Sequence, residues 1–290
     1  MFSQPFMQNA LITGTIVAVV AGVVGFFVVL RGLSFAAHSL AQIGFAGASG
    51  AVLLGIDPIW GLVVFAVGGA VGMGMLGTRE HGRDVTTALV LVASLGAGAL
   101  FLSLNDTYAT AAFSLLFGSI VGISRNMVWQ PTLLSLGCLL ALAVLYRPLL
   151  LTTLHYEIAQ ARGVPTATVG IGFLVVVGVA AAVTVPTVGT LLIFSLMIGP
   201  AAAATYLTST PWKVLLTAVG LAVSITWIGI VAAYDTGWPV GFLISALVGV
   251  MYFAARLLAP WHRSRQMPAN ASARARRGTT ARIHEGIAPR

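Results

Sequence analysis

Two polar side chains stand in an apolar stretch with a spacing that allows them to act together. His38 and Gln42 lie in the segment SFAAHSLAQIGFAGASG, and residues four apart on a helix face the same side. A neutral imidazole is a common ligand for zinc and other borderline divalent ions, whereas an amide oxygen is a harder and weaker ligand. The pair predicts either a contact for a divalent ion or a hydrogen bond between helices, which polar side chains commonly make in membranes.

The elements that carry this pair are predicted to lie in a membrane. The chain has 290 residues, of which 58% are hydrophobic and only 8% are charged, and its mean hydropathy is +0.99. A soluble domain carries about 25% charged residues. The sequence therefore indicates an integral membrane protein. Its single cysteine, Cys138, lies in an apolar run, which excludes a disulfide framework within the chain.

Long apolar segments predict an all-α polytopic fold. About nine of them have the length that a membrane helix needs: 8–30, 36–55, 58–77, 85–104, 128–147, 167–185, 188–207, 213–233 and 239–258. A shorter run, 111–123, predicts a re-entrant or interfacial segment. We expect about eight or nine transmembrane helices, this re-entrant segment and a short cytoplasmic helix described below.

Basic residues set the predicted orientation. Positive charge collects on the cytoplasmic side of a membrane protein. The basic residues at alternate ends of the apolar segments therefore mark the predicted cytoplasmic side: Arg31, Arg79, Arg83, Arg147, Arg162, Lys213 and Arg256. Only Arg125 falls on the opposite side. This pattern predicts an external N-terminus and a cytoplasmic C-terminus in a multi-pass protein of the cytoplasmic membrane.

The chain divides into a transmembrane domain, 1–259, and a basic tail, 260–290. The tail is rich in arginine and poor in large apolar residues, so it is predicted to be disordered. A basic tail beside a membrane typically marks the cytoplasmic side and contacts anionic lipid. We expect no nucleic-acid partner.

A second unusual segment, LHYEIAQARGVP at 154–165, connects two apolar segments on the predicted cytoplasmic side. Its Ala and Gln residues favour a helix, and Gly163 followed by Pro165 predicts where that helix stops. Such a helix is placed either to dock a soluble partner or to rest on the lipid surface.

The acidic residues and the motifs argue against two other classes of protein. Carboxylates fall at the predicted ends of the apolar segments, so no buried carboxylate is available as a proton relay: Asp57, Glu80, Asp84, Asp106, Glu157 and Asp235. The sequence contains no HExxH, GxSxG, P-loop or CxxC motif. We therefore expect no enzymatic activity, no cofactor bound by this chain, and energy supplied by another protein.

Several segments, in order, resemble the membrane permease subunits of ABC transporters for zinc, manganese and iron(II). They are FMQNALITG near the start, GFFVVLRGLSFAAHSLAQIGFAGASGAVLLG at 25–55, DVTTALVLVASLGAGALFL at 84–102, LLFGSIVGIS at 115–124, HYEIAQARGVP at 155–165 and VPTVGTLLIFSLMIGPAAAATYL at 185–207. The resemblance covers 6–258 and leaves the basic tail unmatched.

The resemblance implies a homodimeric permease with an ABC ATPase on each copy and an extracytoplasmic solute-binding protein. ATP would be bound and hydrolysed by the ATPase, and the transported cargo would be a divalent metal ion. The 155–165 segment resembles the coupling helix that enters a groove of the ATPase. Glu157, Ala161 and Gly163 match its motif, and Arg162 lies among them.

The same resemblance also identifies a departure. Many relatives carry a motif similar to GDxLSH in the second helix, with Asp and His facing the pathway, and here those positions are His38 and Gln42. The resulting prediction is the permease of an ABC importer for zinc, manganese or iron(II). An ABC permease for a non-metal substrate, an ion-gradient-driven secondary transporter and a non-transporting membrane scaffold remain the alternatives.

Overall fold

The apolar segments fold as α-helices. The computed structural model describes residues 5–76, 80–104, 115–116, 129–190 and 193–266. Within these ranges the helices are α1 (Pro5–Leu30), α2 (Ser34–Leu53), α3 (Pro58–Leu76), α4 (Glu80–Ser103), α5 (Trp129–Leu154), α6 (Tyr156–Ala161), α7 (Thr166–Val188), α8 (Ile193–Leu207), α9 (Pro211–Thr236) and α10 (Val240–Gln266). The described part of the chain contains no strand. The predicted all-α polytopic class is confirmed.

Six helical stretches in the described residues are long and apolar enough to cross a membrane. They are Phe6–Leu30, Pro58–Met75, Trp129–Leu154, Thr166–Val185, Pro211–Thr236 and Val240–Ala259. Two further apolar stretches, Thr87–Ser103 and Ile193–Leu207, are shorter. Helix α2 matches the predicted segment 36–55 in position, but it is not among the six because His38 and Gln42, together with its glycines and serines, make it less apolar.

Two helices organise the packing. Helix α1 contacts α9 and α8 most extensively and also contacts α5 and α7. Helix α2 packs mainly against α3 and α4 and also reaches α7, and most of its side chains are buried. Helix α7 therefore lies beside both α1 and α2. It also contacts α5, where the buried Cys138 donates a weak hydrogen bond from Sγ to the carbonyl of Val176 at 3.6 Å.

Glycines bring α2 and α3 into close contact. A Cβ atom on Gly47 would collide with the backbone carbonyl of Gly61 and lie 2.6 Å from the Phe65 side chain. Backbones approach this closely only where side chains are small. The glycine-rich run 68–74 is mixed, because a Cβ on Gly68 or Gly72 would meet nothing within 4 Å, whereas a Cβ on Gly69 would lie 3.0 Å from Ile43 and one on Gly74 2.5 Å from Ile171. The small-residue runs therefore provide close packing in α2 and open surface in part of α3.

One predicted segment is interrupted. The apolar run 188–207 contains the end of α7, a break at Gly189 and the whole of α8, because Gly189 adopts a φ of +91°. Glycine accepts this backbone conformation without steric cost. Pro186 lies within α7 and Pro200 lies within α8, so neither proline ends its helix.

Some predictions fall on parts of the chain that the structure does not describe. These are most of the re-entrant run 111–123, the connection around Asp106, Arg79, Arg125 and the tail from residue 267 onward. The last helix, α10, extends to Gln266 and so passes the expected domain boundary at residue 259.

Candidate functional site

The turn between α1 and α2 places the polar pair. Gly32 has a φ of +66°, and the amides of Gly32 and Leu33 donate to the carbonyls of Val29 and Val28 at 3.2 and 2.9 Å. This left-handed ending satisfies carbonyls that the last turn of α1 would otherwise leave free. Helix α2 begins directly afterwards at Ser34, which puts His38 in its second turn.

His38 and Gln42 carry unsatisfied polar atoms on α2. His38 is half-buried and Gln42 is only 3% exposed, and neither His38 Nδ1 nor Gln42 Oε1 has a hydrogen-bond partner among the described residues. A buried acceptor left unpaired costs about 1–3 kcal/mol. Both atoms therefore keep hydrogen-bonding capacity for a molecule that enters the buried space beside α2. The predicted hydrogen bond between helices is not formed at these two atoms within the described part of the chain.

An aromatic ring orients the imidazole. The ring of Phe194, in the first turn of α8, lies edge-on to His38, with 5.2 Å between ring centroids and 82° between planes. Phe194 follows the break at Gly189, where Thr190 is fully buried and its Oγ1 also lacks a partner within the described residues. No sequence pattern marks Phe194, because it is one apolar residue among many in 188–207.

Two hydroxyl groups of α2, those of Ser39 and Ser49, are satisfied locally. Ser39 Oγ donates to the carbonyl of Phe35 at 2.9 Å, and Ser49 Oγ donates to the carbonyl of Phe45 at 2.8 Å. Serine in a helix commonly bonds the preceding turn in this way. His38 and Gln42 thus differ from Ser39 and Ser49, whose hydroxyl groups have hydrogen-bond partners.

Metal-binding capacity in the described chain is limited. No three His, Cys, Asp or Glu side chains within it come together as a cluster that could hold a metal ion. Asp57 is used at the start of α3, where Oδ1 accepts the amide of Ile59 at 3.0 Å, and Asp235 lies in the last turn of α9. In the part of the chain that the structure describes, α2 offers two candidate ligand atoms, an imidazole nitrogen and an amide oxygen.

The second predicted site is a short exposed helix. Helix α6 lies between α5 and α7 and is anchored by Ala159, which is fully buried. Tyr156 and Ile158 are 55% and 47% exposed, and Gln160 Nε2 donates to Tyr156 Oη at 3.1 Å. Large apolar side chains exposed beyond the end of an apolar helix indicate a surface that another molecule covers.

The predicted residues of this second site surround α6 and its end. Glu157, Ala161, Arg162 and Gly163 are all exposed. The helix stops where predicted, since Gly163 adopts a φ of +72° and its amide donates to the carbonyl of Gln160 at 2.9 Å. These residues lie on α6 and directly after it, whereas His38 and Gln42 lie on α2.

One protein-family model matches most of the chain. Residues 3–259 match the model of the ABC 3 transport family. The chain belongs to this family. It is therefore a multi-pass membrane protein and a transport subunit, which is consistent with its helices and with the resemblance on which the sequence prediction rested.

Two named proteins are similar to the chain over most or about half of its length. The manganese import system permease protein ScaB of Streptococcus parasanguinis is 27% identical over 259 residues, covering 89% of this chain and 92% of that protein. The manganese transport system membrane protein MntC of Halalkalibacterium halodurans is 26% identical over 166 residues, covering 57% of each.

A solved structure shares the fold of this ABC 3 family chain. PsaBC from Streptococcus pneumoniae in complex with Fab contains a chain that superposes with a TM-score of 0.81 at 24% identity. The superposition covers 90% of this chain and 94% of the other. The fold of the chain is thus one that a solved structure also has.

Proposed function

We propose that the chain is the membrane permease of an ABC importer that carries a divalent metal ion into the cytoplasm. Family membership and relatives named as manganese permeases support the proposal. The observation that carries it is the pair of unsatisfied atoms, His38 Nδ1 and Gln42 Oε1, on the buried face of α2. A transporter must release its cargo, so a weak two-atom contact suits transit better than a complete metal site.

The proposed topology has nine crossings, with the N-terminus outside and the C-terminus in the cytoplasm. Residues 1–259 form the permease domain and 260–290 a basic cytoplasmic tail. The asymmetry of basic residues supports this orientation. It places the turn at Gly32 and helix α6 on the cytoplasmic side, and the turn at Asp57 outside.

The proposed energy source is an ABC ATPase that docks on α6. The exposed Tyr156 and Ile158 supply apolar contact area, and Glu157 and Arg162 supply charges at its edge. The permease acts as a homodimer, and a solute-binding protein delivers the ion outside. ATP binding closes the ATPases together and moves α6, which opens the pathway alternately to the two sides.

The proposed ion preference follows from the ligand types. Imidazole suits zinc and iron(II), whereas manganese prefers carboxylate, carbonyl and water oxygens. The described side chains of α2 offer an imidazole and an amide but no carboxylate. We infer that zinc and iron(II) pass more readily than manganese, even though the relatives are named for manganese.

Uptake into proteoliposomes tests the proposed function. The chain is reconstituted with its ATPase and binding protein, and zinc, iron(II) and manganese are each supplied with and without ATP. We expect ATP-dependent uptake of at least one ion, and His38→Ala should lower it about tenfold, as for a lost contact of 1.4 kcal/mol. The His38→Ala complex should still assemble, which copurification measures.

Other outcomes favour the alternatives. Uptake driven by a proton or sodium gradient without ATP would indicate a secondary transporter. A complex that hydrolyses ATP and carries none of the three ions would indicate a non-metal substrate. A chain that copurifies with no ATPase and transports nothing would fit a scaffold.

A further inference from the structure

One basic side chain joins the helices on both sides of α6. Arg31, at the end of α1, donates from Nη1 to Thr152 Oγ1 at 3.2 Å. Its guanidinium carbon also lies 5.6 Å from the centroid of the Phe173 ring. Thr152 belongs to the last turn of α5 and Phe173 to α7, so Arg31 contacts the two helices that α6 connects.

The surroundings of Arg31 are built to hold it. Thr152 is buried, and its hydroxyl donates to the carbonyl of Leu149 at 3.1 Å, which leaves its lone pairs for the guanidinium. Phe173 is fully buried and packs edge-on against Phe27, with 6.1 Å between centroids. A cation held over an aromatic face away from bulk water is attracted more strongly than an exposed one.

The same residue lies at the start of the helix that carries the polar pair. The amide of Arg31 donates to the carbonyl of Phe27 at 3.0 Å, so its backbone is fixed to α1. Only Gly32 and Leu33 separate it from Ser34, where α2 begins. A shift of the ends of α5 and α7 that moves Arg31 therefore also moves the beginning of α2.

We propose that Arg31 is a positioning residue that couples movement of α6 to α2. The proposal rests on the proposed function, because it needs a partner that displaces α6. When the ends of α5 and α7 move, Arg31 carries that movement into the turn at Gly32. His38 and Gln42 on α2 then change their access to the two sides of the membrane.

The chemistry of arginine is required for this role. A guanidinium is planar and donates from several nitrogens, so it stacks on Phe173 and bonds Thr152 at the same time. An ammonium is a compact point charge on a flexible stem and does not reproduce this geometry. We call the contacts of residue 31 with Thr152 and Phe173 the joint. Arg31→Lys keeps the charge and should still fold, but it should weaken the joint.

The test compares substitutions that remove part of the Arg31 contacts with substitutions that leave these contacts in place. Arg31→Lys and Thr152→Val each remove part of the joint. Thr153→Val is a matched control, because Thr153 Oγ1 donates to the same Leu149 carbonyl, at 2.6 Å. Arg147→Lys is a second control, since Arg147 is an exposed arginine of α5.

Two measurements are made on the assembled complex in proteoliposomes. The first is the number of ions transported per ATP hydrolysed, which Arg31→Lys and Thr152→Val should lower about fivefold or more. Basal ATP hydrolysis and copurification should stay at the wild-type level, and both controls should behave as wild type.

The second measurement does not depend on transport. Spin labels attached at Phe35→Cys and His155→Cys, exposed positions on α2 and directly before α6, report the distance between the two helices. We expect a narrow distance distribution in the otherwise wild-type chain and in the controls, and a broader one with Arg31→Lys or Thr152→Val.

The outcomes separate the two proposals. A wild-type complex that carries no ion with ATP contradicts the proposed function, and the label distances still test the joint. Unchanged label distances in Arg31→Lys and Thr152→Val overturn the role of Arg31. An unchanged ratio of ions to ATP in a transporting complex also overturns it, as does an equal loss in the Thr153→Val control.

Discussion

The positions of His38 and Gln42 could be predicted from the sequence, but their surroundings could not. Their spacing placed both on one face of a helix, and both lie in α2. The spacing could not reveal that Nδ1 and Oε1 would be left without partners, because that depends on which side chains neighbouring helices present. Nor could it reveal Phe194, which reaches His38 only because the chain breaks at Gly189 and restarts as α8.

Gln42→Glu tests ion preference with almost no change of shape. The substitution adds a carboxylate, which manganese prefers, beside the imidazole of His38. We expect the ratio of manganese to zinc uptake to rise about tenfold, equivalent to 1.4 kcal/mol. Parallel uptake assays in proteoliposomes measure the ratio.

The control for this prediction is the same change on an exposed residue. Gln8→Glu on α1 alters the charge of the chain equally but lies on another helix. If Gln42→Glu and Gln8→Glu give the same ratio as the wild type, Gln42 does not contact the ion.

The positions of the described long helices follow from the sequence better than their lengths do. Apolar runs of about 20 residues mark where these helices lie, but α5 runs to Leu154, well beyond the predicted end at residue 147, because Tyr146, Arg147 and Pro148 do not stop it. The prediction for 188–207 has the opposite error, because one predicted segment contains parts of two helices. Hydropathy is continuous there, and only the backbone conformation of Gly189 divides the segment. The short helix α6 was predicted well, since Gly163 ends it in the expected place.

A charge reversal on α6 tests whether this helix docks the ATPase. Glu157→Arg should reduce ATPase copurification about tenfold, because a charge at the edge of the interface changes sign. Asp235→Arg makes the same change at the end of α9, on the expected external side, and should copurify normally. Equal copurification of the ATPase with Glu157→Arg and with the wild type would argue against docking through α6.

The crossing of α2 and α3 gives a prediction about stability. Gly47→Val introduces a side chain where a Cβ already meets Gly61 and Phe65, and overpacking of this kind costs about 1–3 kcal/mol. Thermal unfolding of the purified chain in detergent should occur several degrees lower, about 4 °C per kcal/mol at most for a protein of this size.

The matched control for that crossing lies on α3. Gly68→Val introduces the same side chain where a Cβ meets nothing within 4 Å. If Gly68→Val lowers the unfolding temperature as much as Gly47→Val, the loss comes from valine in a helix and not from the crossing.

At the scale of the whole molecule, the described helices expose many large apolar side chains. Leu133, Leu136, Leu140 and Val144 form such a surface on α5, as expected of a chain whose outer faces meet lipid or another membrane subunit. Composition alone predicted this environment. The sides on which the termini lie are not fixed by packing and rest on the positions of basic residues.

Fusion reporters test that orientation. Green fluorescent protein fused after residue 266 should fluoresce, and alkaline phosphatase at the same place should be inactive, because the C-terminus is expected in the cytoplasm. Fusions after Asp57 should give the reverse pattern. Fluorescence after Asp57 together with active phosphatase after residue 266 would invert the whole topology and move α6 outside.

Cys138 has a practical consequence for work on this transporter. It is the only thiol in the chain, it is 3% exposed, and it lies between α5 and α7. Maleimide reagents attack accessible thiolates, so the native chain should remain almost unlabelled while folded. Any cysteine introduced at an exposed position would then carry the label alone, and labelling of Cys138 itself would report that α5 and α7 have separated.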